Sequence, residues 1–249
     1  MRIRRSRVVL VAALSACLAG SLAGAAGPSG GACQLQGVAN IMPALTYVSA
    51  NFGYSFTGTL GTCQSNVAGA PTSGTVSAGV QVPETVTLTS TRPGTCTGGV
   101  CDDGVTACAN SSACPPIVTT TTGTVLYQEP VPQGSGSCGS STTAGEALAA
   151  WGDGKHTILS YTTTGAGAAV QLQGTIVASM TLALVASSVP AGYTAPSTYT
   201  ISSDEPVFAV GKQSIAPLTF SPTTLDQDCV TVGVSSANID GVVAIGSAS

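Results

Sequence analysis

The sequence predicts an all-β protein: an antiparallel β-sandwich, immunoglobulin-like or related, carrying a disulfide-rich loop insertion. Three observations predict it. Beyond residue 33 the chain is rich in Thr, Ser, Val, Ala and Gly and has almost no Glu/Lys/Leu stretch of helical period. Apolar residues alternate with small polar ones, as in strands with one buried and one solvated face. Turn residues recur about every 8 to 12 positions, the rhythm of a sandwich or barrel.

The first element is not part of the fold. Residues 1–26 open with Arg2, Arg4, Arg5 and Arg7, continue as an apolar run from Val8 to about Leu22 and end in small residues. That is the pattern of an export signal, too short for a membrane span. Cleavage near Gly24 or Ala26 gives free secretion; Leu14-Ser15-Ala16-Cys17 offers the alternative of lipidation at Cys17, as in a bacterial lipobox. Residues 27–32 (GPSGGA) read as a linker, and 33–249 as a single domain. After cleavage only Arg92, Lys155 and Lys212 face eleven acidic residues, a net charge near −8. Three cations cannot neutralise a run of phosphates, so nucleic acid is excluded as a partner.

Strands follow in order: Gln34 to Ala39, Tyr54 to Gly61, Val76 to Val82, Thr85 to Thr89, Gly123 to Gln128, Val170 to Ile176, Met180 to Ala186, Val207 to Val210, Val230 to Val234 and Val242 to Ile245. The stretch ALAAWGDGKHTILSYTTT, residues 147–164, reads as a hairpin because Gly152-Asp153-Gly154-Lys155 tolerates positive φ between two apolar runs. Trp151 is then expected against Leu159 or Tyr161 across the strands.

Removing the leader leaves Cys33, Cys63, Cys96, Cys101, Cys108, Cys114, Cys138 and Cys229. An even number in an exported chain predicts up to four disulfides and an oxidising compartment. Cys33 and Cys63 are placed to tie an early strand to a later one, and Cys138 and Cys229 to tie the middle to the C-terminal strand. Cys96, Cys101, Cys108 and Cys114 crowd an insertion at 95–116, between strands ending near Thr91 and starting near Ile117, and are expected to pair among themselves. Their spacing lacks the C-x2-C knuckle of structural zinc sites and the C-x-x-C of redox centres. Asp102-Asp103-Gly104 lacks the alternating oxygens and closing Glu of a calcium loop. No metal or other cofactor is expected.

Few residues carry chemistry. His156 is the only histidine, with Asp153 three residues before it, but no G-x-S-x-G elbow supplies a nucleophile. Glu84, Glu129, Glu146 and Glu205 could supply paired carboxylates, yet nothing selects a pair. Aromatic faces, Trp151 and Tyr161 foremost among Tyr47, Tyr54, Tyr127, Tyr193 and Tyr199, could contact a ligand. The expected function is therefore a non-enzymatic exported structural or interaction protein with an unknown extracellular partner, protein or glycan. A carbohydrate-binding module and a secreted hydrolase are the alternatives, and the oligomeric state stays open.

Cys33-Gln34-Leu35-Gln36-Gly37, Tyr54-Ser55-Phe56-Thr57-Gly58 leading to Cys63, Trp151-Gly152-Asp153-Gly154, and Asp228-Cys229 with Gly233 and Gly241 resemble small secreted all-β proteins of high-GC Gram-positive bacteria. The resemblance implies an immunoglobulin-like or related sandwich outside the cell and brings no catalytic motif. The insertion resembles instead the short cysteine-rich repeats, ending in Cys-Pro, of many bacterial extracellular proteins.

Overall fold

A computed structural model describes residues 30–248. The leader and Cys17 lie outside the described residues. Strands run as β1 Gly31–Leu45, β2 Ala50–Ser65, β3 Gly74–Ala78, β4 Gln81–Arg92, β5 Cys96–Thr97, β6 Val100–Cys101, β7 Ile117–Gln128, β8 Gln133–Gly136, β9 Ser140–Trp151, β10 His156–Ala166, β11 Ala169–Val177, β12 Ser179–Leu184, β13 Thr198–Ser202, β14 Gln213–Pro222 and β15 Val234–Ala248. The β1 strand already takes up Gly31 and Ala32 from the stretch read as linker.

The all-β expectation holds, but the main sheet is not an open layer of a sandwich. Its order is β1-β15-β14-β11-β10-β9-β3-β2, and β2 pairs again with β1, so eight strands close into a barrel. Closure depends on pairings between distant residues of β1 and β15, such as Gln34 with Val242 and Val38 with Asn238. Alternation along a strand is the same in a sandwich and in a barrel, which is why the pattern alone did not separate them.

One lane of the barrel wall is shared by two strands. The short β3 pairs Phe56–Leu60 of β2 with Leu148–Trp151 of β9, and β8 continues the same lane, pairing Ala50–Gly53 with Ser141–Ala144. Between them the chain leaves the barrel at Gly79, whose φ of +68° makes the turn, and returns at Glu129. The single strand expected over Val76 to Val82 is therefore split at that turn.

The excursion builds a second sheet of order β13-β12-β7-β4. It packs on the outside of the barrel, where Leu148 and Ile158 point outward against Val125, Tyr127, Met180, Leu182 and Ile201. The hairpin strands β9 and β10 are thus covered on both faces there, and this is why ALAAW and HTIL read as continuous apolar runs. Two further expectations fail. Val207 lies in a 3-10 turn, Pro206–Phe208, started by Glu205, whose carboxylate accepts the Val207 amide at 3.0 Å. Residues 230–233 are a loop held by Asp228, which accepts from the Val230 and Thr231 amides at 2.8 and 2.5 Å.

The four disulfides join Cys33 to Cys63, Cys96 to Cys108, Cys101 to Cys114 and Cys138 to Cys229. The insertion forms the tip of the twelve-residue β4 and β7 hairpin, between Arg92 and Ile117.

Candidate functional site

The barrel's two ends differ. At the lower end, beneath the β9–β10 turn, Trp151 packs on Phe208 with ring centroids 5.0 Å apart. Its indole nitrogen donates to Thr157 Oγ1 at 2.9 Å. Trp151, Phe208, Ile176 and Cys33 are all buried, so this end is sealed. The register of the hairpin sets this: Ala150 pairs with His156, which places Leu159 opposite Ala147 and Tyr161 opposite Gly145, out of reach of the tryptophan expected beside them.

Above the plug lies a cavity of about 160 Å³. Its lower wall is apolar: Leu60, Ala149, Leu218, Val243 and Ile245. The cause is visible along β9, whose inward positions Ser141, Thr143, Gly145, Ala147 and Ala149 are all small. A face of small residues cannot fill the interior of an eight-stranded barrel, which is just wide enough for ordinary side chains or for one small ligand. Gly145 is required on other grounds as well, because a Cβ there would lie 2.6 Å from Pro132 where the chain re-enters the wall.

Toward the upper end four hydroxyls converge. Tyr54 on β2 and Tyr161 on β10 project inward from lanes on either side of β9 and β8, and their hydroxyl oxygens meet at 2.6 Å. Thr143 Oγ1 lies 3.3 Å from the Tyr54 hydroxyl and 2.7 Å from Thr163 Oγ1. Burial raises the Tyr54 phenol above its ordinary pKa. Tyr161 is pushed well above it, by burial first and then by its neighbours Tyr54 and Glu129. Both phenols stay protonated, so the cluster can donate and accept hydrogen bonds without changing charge. Among the described residues no Asp, Glu, Lys, Arg or His lines the cavity.

Glu129 sits behind this wall, buried, where it accepts from Ser77 Oγ at 2.6 Å and from the Val80 amide at 3.2 Å. Burial raises its carboxyl above the usual range, against the lowering effect of those two bonds. It latches the point where the second sheet leaves the barrel.

The upper end is open. Ser141, Thr143, Thr163, Val170 and Phe220 line it and are only half-buried. The Cys138–Cys229 disulfide crosses part of it, and the Tyr47 amide donates to Cys229 O at 2.8 Å. Met42, Tyr47, Val48, Leu225, Val230 and Val232 stand exposed on the strand end and loops around it. Elsewhere many outward positions are polar, among them Gln34, Gln36, Thr57, Thr59, Gln171, Gln173 and Asp240, where a lipid-facing barrel is apolar; Ile215 and Val242 are exposed apolar exceptions. Among the described residues no helix is long and apolar enough to cross a membrane.

The other candidates fall into separate places. His156 Nδ1 lies 4.0 Å from Asp204, while Asp153 pairs with Lys155 at 2.9 Å. Glu205 is buried at the lower cap, 3.3 Å from Lys155 Nζ. Glu84 lies near Tyr199 on the second sheet and raises the pKa of its phenol. In the tip, Asp102 accepts from Arg92 at 2.7 Å and from the Thr95 amide at 3.0 Å, and Asp103 accepts from the Val105 and Thr106 amides at 2.9 Å. The sulfurs of Cys96, Cys108 and Cys114 lie close together, but each is bound in a disulfide, and metal needs the thiolate. Trp151 is buried in the plug and Tyr161 faces the cavity, so neither offers a ring to the outer surface. Sequence reasoning missed Tyr54, Thr143 and Thr163 as a group; the run of small inward residues on β9 was the signal that could have found them.

Comparison with protein families, curated proteins and solved structures finds no match for this chain. The functional reading therefore rests on the geometry.

Proposed function

We propose that this is an exported, non-enzymatic binding protein whose barrel holds one small apolar molecule. The observation that carries the reading is the 160 Å³ cavity, walled by aliphatic and aromatic side chains and closed at one end. An apolar cavity of about 150 Å³ in another protein stays dry and takes up benzene, so this one suits a guest of about one aromatic ring. The exposed apolar residues around the open end support the same reading, since a sparingly soluble ligand meets them first. Four disulfides and the export signal at 1–26 support a site of action outside the cytoplasm.

Calorimetric titration of the mature protein with toluene tests this. One saturable site is expected, and Ala147→Phe, which places a ring in the cavity, abolishes it while the circular dichroism stays native. A folded wild type that binds no toluene, or an Ala147→Phe variant that binds as well as wild type, overturns the proposal.

A further inference from the structure

Resting on that reading, we infer that the barrel selects uncharged guests carrying a hydroxyl or carbonyl oxygen, bound with that oxygen at the Tyr54–Tyr161–Thr143–Thr163 cluster and the apolar body pointing down toward the plug. The cavity is divided by depth. Below the cluster, β10 runs from Tyr161 down to Thr157; its inward neighbours on β9 are Ala147 and Ala149, and Leu60 of β2 and Ile245 of β15 line the cavity from other strands. Thr157 is already engaged by the Trp151 indole. The floor therefore offers little but apolar contact.

The cluster itself has hydrogen-bonding capacity to spare. Four hydroxyls carry four hydrogens and eight lone pairs, and the three contacts among them use three of each. At least one donor and several acceptors remain for a guest oxygen. A hydroxyl can both donate and accept there, and a carbonyl can accept.

Charge is selected against on both sides. Among the described residues, a guest carboxylate entering this site finds no cation lining the cavity. Burying it without a partner carries a large desolvation cost. An ammonium faces only neutral oxygens, because the Glu129 carboxylate is turned to Ser77 and the Val80 amide and does not line the cavity. The phenols supply no countercharge to either: burial keeps both protonated, so no phenolate meets an ammonium, and a phenol has no cationic form to meet a carboxylate.

A benzyl series separates these cases at constant ring size. Toluene, benzyl alcohol, benzaldehyde, benzoate and benzylamine are titrated at pH 7 into wild type, Tyr161→Phe and Thr143→Val. Each substitution removes a hydroxyl and leaves the apolar bulk. Benzyl alcohol and benzaldehyde are expected to bind, with benzoate and benzylamine at least about tenfold weaker than benzyl alcohol. In Tyr161→Phe the ratio of benzyl alcohol to toluene affinity is expected to fall about tenfold, as loss of a buried hydrogen bond predicts, with toluene affinity preserved. Thr143→Val gives a smaller fall in the same direction. An unchanged ratio in both folded variants, or benzoate or benzylamine as the tightest guest, overturns the selectivity and leaves the apolar site standing. Failure of the whole series, toluene included, overturns both proposals.

Discussion

The barrel and the tip of the β4–β7 hairpin are held together by different physics. The barrel's lower half has a continuous core in which Cys33, Leu35, Phe56, Leu60, Trp151, Ile176 and Phe208 are all buried. In the tip, Cys101 is buried, while Val100 and Val105 are exposed and the strands are two residues long. Two disulfides and the Asp102 and Asp103 side-chain bonds replace the missing core. The difference teaches where covalent staples matter: a segment too small to bury apolar area depends on them, and a closed barrel does so far less.

Breaking the plug should have the largest effect. Trp151→Ala removes the contact with Phe208 and leaves the Thr157 hydroxyl without its indole donor in a buried site. Loss of a large buried aromatic costs about 3–5 kcal/mol. The shift of the urea midpoint, followed by circular dichroism, checks it. A loss under about 1 kcal/mol would show that the lower end is not the stabilising half of the barrel.

Legibility in the sequence divides along the same line. That the tip's four cysteines pair among themselves was readable because they are crowded in sequence and even in number; which joins which, Cys96 to Cys108 and Cys101 to Cys114, was not. The β9–β10 hairpin was readable because Gly154, at φ +84°, and its neighbours mark the turn locally. Closure was not, since it rests on β1 meeting β15 some 200 residues away. The same holds for β8, whose four residues QGSG carry no strand pattern and pair only because β3 leaves its lane unfinished. The hydroxyl cluster draws on β2, β9 and β10, so no single stretch contains it.

Glu129, at the junction between barrel and second sheet, should show an intermediate effect. Glu129→Ala leaves the Ser77 hydroxyl and the Val80 amide without their acceptor, a loss of about 2 kcal/mol in the urea midpoint. The pH dependence has a definite sign. Burial raises the native carboxyl's pKa, so the folded state holds the proton more tightly than the unfolded chain. The Glu129 contribution to stability is present below the ordinary glutamate pKa and declines as pH rises from there through the raised native value. Glu129→Gln carries no proton to lose, so its stability relative to wild type should rise across that window. Parallel curves for the two proteins between pH 4 and 8 would mean that the carboxyl is not perturbed.

The smallest effect on the barrel should come from unstapling the tip. Cys101→Ser/Cys114→Ser removes a bridge closing 13 residues, which the chain-entropy view values at about 3 kcal/mol if the segment and the barrel unfold together. The structure argues that they do not. The tip touches the rest of the fold through the twelve paired residues of β4 and β7, and its own anchor is the Arg92–Asp102 ion pair at its base. Without the bridge it should open alone, as a low-stability unit distinct from the barrel. Trp151, the only tryptophan, reports the barrel alone, so its fluorescence midpoint in urea should move by less than about 0.5 kcal/mol. Amide exchange and proteolysis at 95–116 should rise sharply in the same sample. A tryptophan midpoint lowered by the full value for the bridge would instead show that the staple acts through the whole domain and that the two regions form one cooperative unit.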